Sequence, residues 1–503
     1  KNMVLEPIFG SLKVTVTAGD TGSPMEGASV EMEQKNGQNT FSGSTGADGV
    51  YSFASLPAGD YTLRVTAEDY APYLEELSIP GGSQLNRSVT MQKGGTCGPT
   101  LYWKLSNKVL TIYGDGEMYD YNGFAPWDSL YGNGQLNQII VEEGTTSLGN
   151  YAFRYARATS VSLPSTLTRI GNYAFEGCSH LTGIGIPASV TSIGVSAFKD
   201  CSDLETFDWP DVITSISDNA FNGCEALKTF EIPGTVTTIG NGAFADCTNL
   251  LSVDIPASVD SIGNSAFENC WRMEDVSFQN GLQSIGSRAF YGCQSLTSAI
   301  IPDSVTEIGS DAFNSCYDMT QIHLSNSLKR IEDGAFTNCR KVQDIVVPNG
   351  VTEIGDSAFS SVTDLRTVSL PEGLQQIGEY AFYATDLNTI QIPDSVIAIG
   401  DHAFDSCELL SGSLTLPANV TSVGQMAFYD TNLNSVYING SASFIGRMAF
   451  FSWKREVANE IHYAGTMEQF NAAARNDTYS DEYRGLAGKT IHCTDGDIVI
   501  PSA

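Results

Sequence analysis

The dipeptide Ala-Phe recurs along most of this chain at a nearly constant spacing. It occurs fourteen times between residues 152 and 450, and successive Phe residues are 22 to 24 positions apart. One copy, residues 181–201, reads LTGIGIPASVTSIGVSAFKDC. Such a period is typical of solenoids, in which one coil cannot bury its apolar face alone and stacked coils bury a shared core. The repeat Phe residues are Phe153, Phe175, Phe198, Phe221, Phe244, Phe267, Phe290, Phe313, Phe336, Phe359, Phe382, Phe404, Phe428 and Phe450.

Within one unit, the sequence predicts mainly β structure with short helical turns. The stretch from Leu181 to Pro187 alternates toward its end, which suits a short strand that the proline ends. Gly194 is predicted to allow a turn with positive φ, and Ser196 to Phe198 to begin one helical or 3₁₀ turn. An Ile, Leu or Val lies five positions before every repeat Phe. This position is therefore predicted to be core.

Nine of the eleven cysteines lie three residues after a repeat Phe. Equivalent side chains in stacked coils run parallel, whereas a disulfide needs two Cβ atoms that point at each other about 3.5–4.5 Å apart. We therefore predict a ladder of buried free thiols that pack as small apolar side chains. The ladder cysteines are Cys178, Cys201, Cys224, Cys247, Cys270, Cys293, Cys316, Cys339 and Cys407.

The two ends of the chain differ from the repeats. In residues 11–93, alternating segments such as GSLKVTVT are separated by turn dipeptides such as Asp48-Gly49, which predicts a small antiparallel β-sandwich. Gly94-Gly95 is interpreted as a linker. Residues 96–142 contain Trp103 and Trp127 and are predicted to cover the first coil, because such arrays need caps.

At the other end, Thr466 is predicted to be a helix N-cap with Gln469 at the capping-box position. Phe470 would then close the last coil, and strands are expected near Ile491 and Ile498. The predicted division of the chain is an N-terminal segment (1–10), the β-sandwich (11–93), an N-terminal cap (94–142), a solenoid of fourteen units (143–457) and a C-terminal cap (458–503).

The repeat IGxxAFxxCxxLxxIxIPxSVTx resembles the BspA-like leucine-rich repeats of bacterial surface proteins. The segment CGPTLYWKLSNKVLTIYGDGEMYDY is similar to the leading segment of those arrays, and IHYAGTMEQFNAAA to their final segment. Residues 11–93 resemble a carboxypeptidase-regulatory-like or Cna-B-like sandwich. Several positions depart from the pattern, since Phe278-Gln279 and Leu324-Ser325 replace Ile-Pro, and Ser217 and Glu332 replace the repeat Gly.

The resemblance implies a non-enzymatic protein that is displayed outside the cell or secreted, with its signal peptide not in this chain. It implies adhesion to a host protein or to the surface of a neighbouring cell. We expect a monomer without a cofactor. No run of about 18 apolar residues is present, so no membrane span is predicted.

The composition argues against a nucleic-acid partner and against familiar catalytic sites. Lys and Arg number 26 and Asp and Glu number 58, which gives a net charge of −32 that would repel a polyanion. The five histidines form no HExxH and no close pair along the chain, so no zinc site is predicted. Neither GxSxG nor a Walker motif occurs.

One strand position in each coil is predicted to point outward, between two inward aliphatic residues. We call these positions the face row. In chain order they are Gly185, Asp208, Glu231, Asp254, Ser277, Ile300, His323, Val346, Ser369, Gln391, Thr415 and Tyr437.

Two parts of the face row are candidate contact sites. Asp208, Glu231 and Asp254 occupy three successive coils and form an acidic stripe, because neighbouring strands lie about 4.8 Å apart. This stripe is either a solvated face or a site for a basic partner or Ca²⁺. Ile300, Val346 and Tyr437 are apolar or aromatic yet outward, which makes them candidate partner contacts.

Three functions fit these features. The first is an adhesin or other protein-binding scaffold that presents the solenoid face. The alternatives are a structural spacer of the cell envelope, which needs no patterned face, and a carbohydrate-binding accessory module, which needs exposed aromatic platforms. Tyr437 and Trp209 are candidate platforms, although Trp209 occupies an inward position and is predicted to be core.

Overall fold

The computed structural model describes residues 8–35, 39–129, 136–440, 442–452, 460–474, 486 and 489–500. The chain divides into two compact units, Lys1–Ser192 and Ile193–Ala503. The first unit contains the N-terminal β-domain, a cap and the first coils. The second contains the remaining coils and the C-terminal strands. As the repeat predicted, the fold is mainly β, a β-solenoid preceded by a β-domain.

The N-terminal domain consists of two sheets around one apolar core. Period-two alternation explains the core, since in the first strand Leu12, Val14 and Val16 are buried while Lys13 is exposed. The strands are β1 (Phe9–Ala18), β2 (Ser29–Gln34), β3 (Thr40–Ser44), β4 (Val50–Pro57), β5 (Gly59–Ala67), β6 (Tyr70–Ile79) and β7 (Gln84–Met91). The first sheet has the order β4-β1-β7. Since β1 pairs with β7 in parallel, the prediction of an antiparallel sandwich is wrong at this pair.

The second sheet continues from this domain into the cap and the first coil. Its order is β14-β12-β10-β9-β8-β6-β5-β2-β3. The interpretation of Gly94-Gly95 as a linker is wrong, because both glycines lie in β8 and pair with β9. A Cβ on Gly94 would overlap the carbonyl oxygen of Trp103, so this glycine permits a close approach of two strands. The strands added to this sheet are β8 (Lys93–Thr96), β9 (Leu101–Ser106), β10 (Val109–Gly114), β12 (Gln138–Val141) and β14 (Ser160–Ser162). β11 (Gly116–Glu117) belongs to a separate sheet, in which it pairs in parallel with residues 145–148.

Trp127 of the cap covers the first coil, as predicted. Its side chain is fully buried and its ring stacks on that of Phe153 at a centroid distance of 5.7 Å. The indole Nε1–H donates to the carbonyl of Ala152 at 2.8 Å. The terminal Phe ring therefore has an aromatic partner in place of a preceding coil.

Each of the fourteen coils has a short strand just before its Ala-Phe pair. In all fourteen, the aliphatic residue five positions before Phe is buried, and so is the Phe itself, which confirms the predicted core. These strands are β13 (Thr145–Leu148), β15 (Arg169–Ile170), β17 (Ser192–Ile193), β19 (Ser215–Ile216), β20 (Thr238–Ile239), β22 (Ser261–Ile262), β24 (Ser284–Ile285), β26 (Glu307–Ile308), β28 (Arg330–Ile331), β30 (Glu353–Ile354), β32 (Gln376–Ile377), β33 (Ala398–Ile399), β35 (Ser422–Val423) and β37 (Phe444–Ile445).

A second strand in most coils carries or borders the face row, and we call these strands the face strands. In the second unit they pair in parallel with the equivalent strand of an adjacent coil, as Asp254 does with Ser277. Besides β14, they are β16 (Gly183–Ile184), β18 (Thr206–Phe207), β21 (Ser252–Ile255), β23 (Asp275–Phe278), β25 (Ser298–Ile300), β27 (Gln321–His323), β29 (Asp344–Val346), β31 (Thr367–Ser369), β34 (Ser411–Leu416) and β36 (Asn432–Ile438).

The repeat glycine has a different role from the one predicted. The prediction of positive φ at Gly194 is wrong, since this residue is not among the glycines of positive φ. At Gly263 an added Cβ would lie 2.7 Å from the backbone nitrogen of Asn241 in the preceding coil. At Gly263 the absence of a side chain therefore lets successive coils approach closely at this corner. Where Ser217 replaces it, the Ser217 hydroxyl donates to the carbonyl of Ile193 at 2.6 Å.

Positive φ falls instead on the residue two before each repeat Phe and, in every coil up to that of Phe428, also on the residue two after it. Ser265 and Asn269, on either side of Phe267, have φ values of 53° and 59°. The segment therefore bends through single i→i+3 hydrogen bonds and does not form a helix. Other backbone amides of the segment donate to carbonyls of the next coil. The amide of Phe267, for example, donates to the carbonyl of Ala289 at 2.8 Å. Backbone hydrogen bonds between coils thus continue through the turn.

All eleven cysteines are free thiols, as predicted for the ladder. The nine ladder thiols are buried, and most of them do more than fill space. Cys247 Sγ donates to the carbonyl oxygen of Phe221 at 3.2 Å, and Cys270 Sγ does the same to Phe244. Burial raises the pKa of the Cys407 thiol to about 12, so it stays protonated at neutral pH. The ladder is therefore a row of unreactive hydrogen-bond donors between coils.

The C-terminal cap contains one helix and three strands in the described residues. The predicted capping box at Thr466 is present, because the backbone amide of Thr466 donates to Gln469 Oε1 at 2.8 Å and that of Gln469 donates to Thr466 Oγ1 at 3.2 Å. Phe470 is buried, as predicted. The elements are β38 (Glu460–Tyr463), α1 (Met467–Ala474), β39 (Thr490–Cys493) and β40 (Gly496–Val499).

In the described part of the chain, no helix has the length and the apolar character needed to cross a membrane.

Candidate functional face

The acidic stripe lies on the exposed side of the face strands. Asp208, Glu231 and Asp254 are all exposed. The residue before each of them is buried, as Val253 is before Asp254, because successive side chains of a strand point to opposite sides. The sequence pattern therefore places three carboxylates in one register on three consecutive coils.

A shallow groove of about 550 Å³ runs along this stripe. The three carboxylates line it together with short hydroxyl side chains, among them Thr206 and Ser252. Ser277 of the next coil donates its hydroxyl hydrogen to Asp254 Oδ1. The polar part of the groove thus offers three carboxylates and carries negative charge, which suits a cationic or hydrogen-bond-donating ligand.

The charges around the stripe are mostly negative as well. Near the face strands, Glu205, Glu274 and Asp275 are exposed, and so are the basic residues Lys228 and Arg272. Among the described residues, however, the donor atoms of the stripe do not form a group of three within 4.8 Å of one another. Binding of Ca²⁺ at the stripe would therefore require its side chains to converge, and this binding stays a prediction.

The apolar part of the face row begins two coils after Asp254. Ile300 is 49% exposed and Val346 is 68% exposed, and these values are large for aliphatic side chains in the middle of an array. They line a second groove, of about 440 Å³, on either side of His323. Two exposed aliphatic side chains that flank an imidazole form a mixed surface of the kind found in protein interfaces.

Tyr437 is 38% exposed and has a neighbour that the sequence did not reveal. Its ring stacks on that of His462 at a centroid distance of 4.5 Å, because β36 pairs with β38 and aligns Tyr437 with His462. The next strand, β39, aligns His492 with His462, and these two rings are 4.8 Å apart. The face row therefore continues into the C-terminal cap.

The absence of a close histidine pair along the sequence did not exclude such a pair in space. His462 and His492 are 30 positions apart, yet they occupy facing positions of adjacent strands. A sequence signal for this arrangement exists, since each histidine follows a buried isoleucine, Ile461 or Ile491. The signal becomes informative only when the order of the cap strands is known.

Trp209 is 6% exposed and packs with Phe207 and Phe230 in the core, as predicted. It therefore offers no aromatic platform to a sugar. Of the two aromatic side chains considered for glycan binding, Tyr437 alone lies on the exposed face.

Comparison with known protein families gives two matches. The description "BspA type Leucine rich repeat region" matches residues 128–251, 237–349 and 329–455. Together these ranges cover more than half of the chain. The description "Carboxypeptidase regulatory-like domain" matches residues 11–92. No curated protein matches the chain at a significant level.

Solved structures of bacterial leucine-rich-repeat proteins are similar to this chain. One from Bacteroides ovatus is 23% identical, with a TM-score of 0.59, and the match covers 79% of this chain and 98% of the other. One from Eubacterium ventriosum is also 23% identical, with a TM-score of 0.47 and coverages of 67% and 94%. A leucine-rich cell-surface protein from Faecalibacterium prausnitzii is 23% identical, with a TM-score of 0.43 and coverages of 77% and 98%. The B. ovatus protein shares the fold.

Proposed function

Because the chain belongs to the family of BspA-type leucine-rich-repeat proteins, we propose that it is an exported, non-enzymatic bacterial surface protein that binds a protein partner through the face row. Leucine-rich-repeat arrays are scaffolds whose extended faces commonly bind other molecules. The proposal places the partner on a host cell or on a neighbouring cell. Within the five-part division predicted from the sequence, we assign partner binding to the solenoid, residues 143–457.

The patterning of the face row is the observation that supports this function best. Acidic side chains cluster at Asp208, Glu231 and Asp254, whereas Ile300 and Val346 leave aliphatic surface exposed. A spacer gains nothing from exposed aliphatic residues, which lower solubility. A partner with basic residues and an apolar contact would complement both parts of the face.

The same pattern favours a protein over a glycan. Sugar-binding surfaces need exposed aromatic rings, and of the two rings considered on or beside the face row, that of Trp209 is buried in the core. Tyr437 is exposed, but its ring is already stacked on His462. A carbohydrate-binding module therefore remains the second alternative and a spacer the first.

A comparative pull-down tests this function. The full chain is immobilised and incubated with host extracellular proteins and with a glycan panel. Two variants alter the face, Asp208→Asn/Glu231→Gln/Asp254→Asn and Ile300→Ser/Val346→Ser. A matched control, Asp364→Asn/Glu372→Gln/Asp394→Asn, removes the same charge at exposed positions outside the face row.

We expect the wild type and the control to capture the same protein. One or both face variants should fail to capture it or should bind it at least about tenfold more weakly. The rate of association should fall with added salt for the wild type and less so for the acidic-stripe variant, because steering by exposed charge is a rate effect. Equal capture by all variants would place binding elsewhere. No specific capture by the wild type would favour the spacer, and selective capture of a glycan would favour the carbohydrate module.

A further inference from the structure

We propose that the C-terminal cap binds a divalent transition-metal ion, with Zn²⁺ as the first choice, through the carboxylate of Glu460 and the imidazoles of His462 and His492. These three side chains form the single group of three candidate metal ligands whose donor atoms all lie within 4.8 Å of one another among the described residues. The proposal does not depend on the acidic stripe or on the partner-binding role of the face row.

Strand pairing fixes the backbone of this group. β38 and β39 run parallel, and their register aligns Glu460 with Thr490 and His462 with His492. The residues between them in each strand, Ile461 and Ile491, are fully buried. All three ligand side chains are therefore held on the outward side of one small sheet, and no loop is needed to bring them together.

A fourth side chain orients one of the imidazoles. β40 pairs antiparallel with β39 and aligns Asp497 with His492. His492 Nδ1 lies 3.0 Å from Asp497 Oδ1. When Nδ1–H donates to this carboxylate, Nε2 carries the lone pair and can bind a metal. A carboxylate that holds the far nitrogen of a histidine is a recurring partner of metal ligands and makes the ring a better donor.

The separations require only a small closure. Zinc bonds of about 2.0–2.2 Å place ligand atoms about 3.3–3.6 Å apart in a tetrahedral site. All the present separations are within 4.8 Å, and that between His462 Nε2 and Glu460 Oε2 is 3.7 Å. The side chains therefore need to approach by at most about 1.5 Å. The side chains of His462, His492 and Glu460 are 36%, 34% and 60% exposed, which leaves them free to rotate without movement of the strands.

The ligand types select the kind of ion. Imidazole suits zinc, copper and nickel, whereas calcium and magnesium prefer sites made of oxygen atoms alone. Two histidines and one carboxylate are a known zinc ligand set, and they leave the fourth tetrahedral position for water. We therefore expect Zn²⁺ to bind here and Ca²⁺ not to compete.

The same side chains also form an aromatic stack, in which His462 lies between Tyr437 and His492. Stacking alone would account for the ring positions without any metal. It gives no reason for Glu460 to lie beside His462 Nε2, at 3.7 Å, or for Asp497 to bond His492 Nδ1. The two explanations differ in whether the folded chain binds zinc.

Isothermal titration of the metal-free full chain with zinc chloride, in a buffer that does not chelate metals, tests the proposal. The variants are His462→Ala/His492→Ala and Asp497→Asn, and His323→Ala is the control because it removes an exposed histidine elsewhere on the face. Melting curves of each chain without metal verify that the variants are folded. The titrations are repeated in excess calcium.

We expect one zinc ion per chain for the wild type and for His323→Ala, with no loss in calcium. The double variant should lose this binding, and Asp497→Asn should weaken it about 10–100-fold. Zinc should raise the melting temperature of the wild type but not of the double variant. Absence of stoichiometric zinc binding by the wild type, or equal binding by the double variant, would overturn the site. Unchanged affinity in Asp497→Asn would overturn the role of Asp497.

Discussion

The ring of Phe244 lies parallel to that of Phe267, with 3° between the planes and 5.2 Å between the centroids. Both rings are completely buried, and each has a further repeat Phe on its other side. From Phe198 to Phe450 the stack contains one ring per coil at centroid distances of 5.0 to 5.8 Å. Each Phe therefore stabilises its own coil and both adjacent coils.

Replacing Phe244 by Ala should destabilise the array strongly. The change removes a buried ring and leaves a cavity between two coils, at a cost of about 3–5 kcal/mol. The control is Ile300→Ala, which truncates an exposed side chain and should change stability by about 0.5 kcal/mol or less. Urea unfolding followed by circular dichroism measures both. A Phe244→Ala midpoint equal to that of the wild type would contradict the burial of this ring.

Replacing Gly263 by Ala should also destabilise the fold, although it adds only one methyl group. The new Cβ would lie 2.7 Å from the backbone of the preceding coil, and overpacking of this kind costs about 1–3 kcal/mol. Gly234 is the matched control, because a Cβ there meets no atom within 4 Å and its φ is not positive. Gly234→Ala should be neutral or stabilising by up to about 1 kcal/mol. Equal melting temperatures for the two variants would refute the close approach of coils at Gly263.

The thiol ladder should make the fold sensitive to alkali. Burial raises the pKa of ladder thiols such as Cys407, to about 12, above the value of about 8.5 of an exposed thiol. At pH values between these two pKa values, thiols of the unfolded chain have lost protons that thiols of the folded chain retain. The contribution of the protonated thiols to the stability of the fold is therefore complete below pH of about 8.5 and is lost as the pH rises toward the pKa of the folded state.

Each buried thiol should lower the free energy of unfolding by up to about 1.4 kcal/mol per pH unit in this range. The measurement is the urea midpoint between pH of about 8.5 and 9.5, where most exposed tyrosines, with a pKa of about 10, are still protonated. In the double variant Cys247→Ala/Cys407→Ala, the free energy of unfolding should fall less steeply with pH, because two fewer buried thiols lose their protons on unfolding. This difference in slope is expected whatever the stability of the variant at pH 7. An identical slope would show that these thiols ionise equally in both states.

The acidic stripe should affect stability even without a partner. The carboxylates of Asp208, Glu231 and Asp254 stack in one register, so the Asn/Gln/Asn triple variant should be as stable as the wild type or slightly more stable at low salt. Calcium, if it binds at the stripe, should raise the melting temperature of the wild type but not of this variant. Two results together would show that the stripe is only a solvated face. Calcium would leave the melting temperature of the wild type unchanged, and a captured partner would associate with the triple variant at the same rate as with the wild type.

The sequence was sufficient for the burial pattern of a coil and for one of the caps. The buried position five residues before each Phe, the thiol ladder, the outward face row and the capping box at Thr466 all follow from local periodicity, and each is present in the structure. Trp127 was predictable as part of a cap because a terminal coil must be covered.

The remaining features depend on contacts between coils, which a pattern within one coil does not contain. Gly194 suggested positive φ, but the left-handed residues are others, such as Ser265, whose amide must bond to the next coil. Gly94 suggested a flexible linker, yet it pairs within a sheet. His462 and His492 became neighbours only through the order of the cap strands.

The thiol of Cys270 donates to the carbonyl of Phe244, and that of Cys247 donates to the carbonyl of Phe221. In each of these units, the cysteine thiol therefore donates a hydrogen bond to the unit before it, and the carbonyl of the repeat Phe accepts one from the unit after it. If residues 240–262 were excised, Ile239 would join Gly263 as Ile262 now does, and the thiol of Cys270 would meet the carbonyl of Phe221. Gene duplication or deletion in whole units would thus change the number of coils while each new junction keeps the same hydrogen bond from thiol to carbonyl.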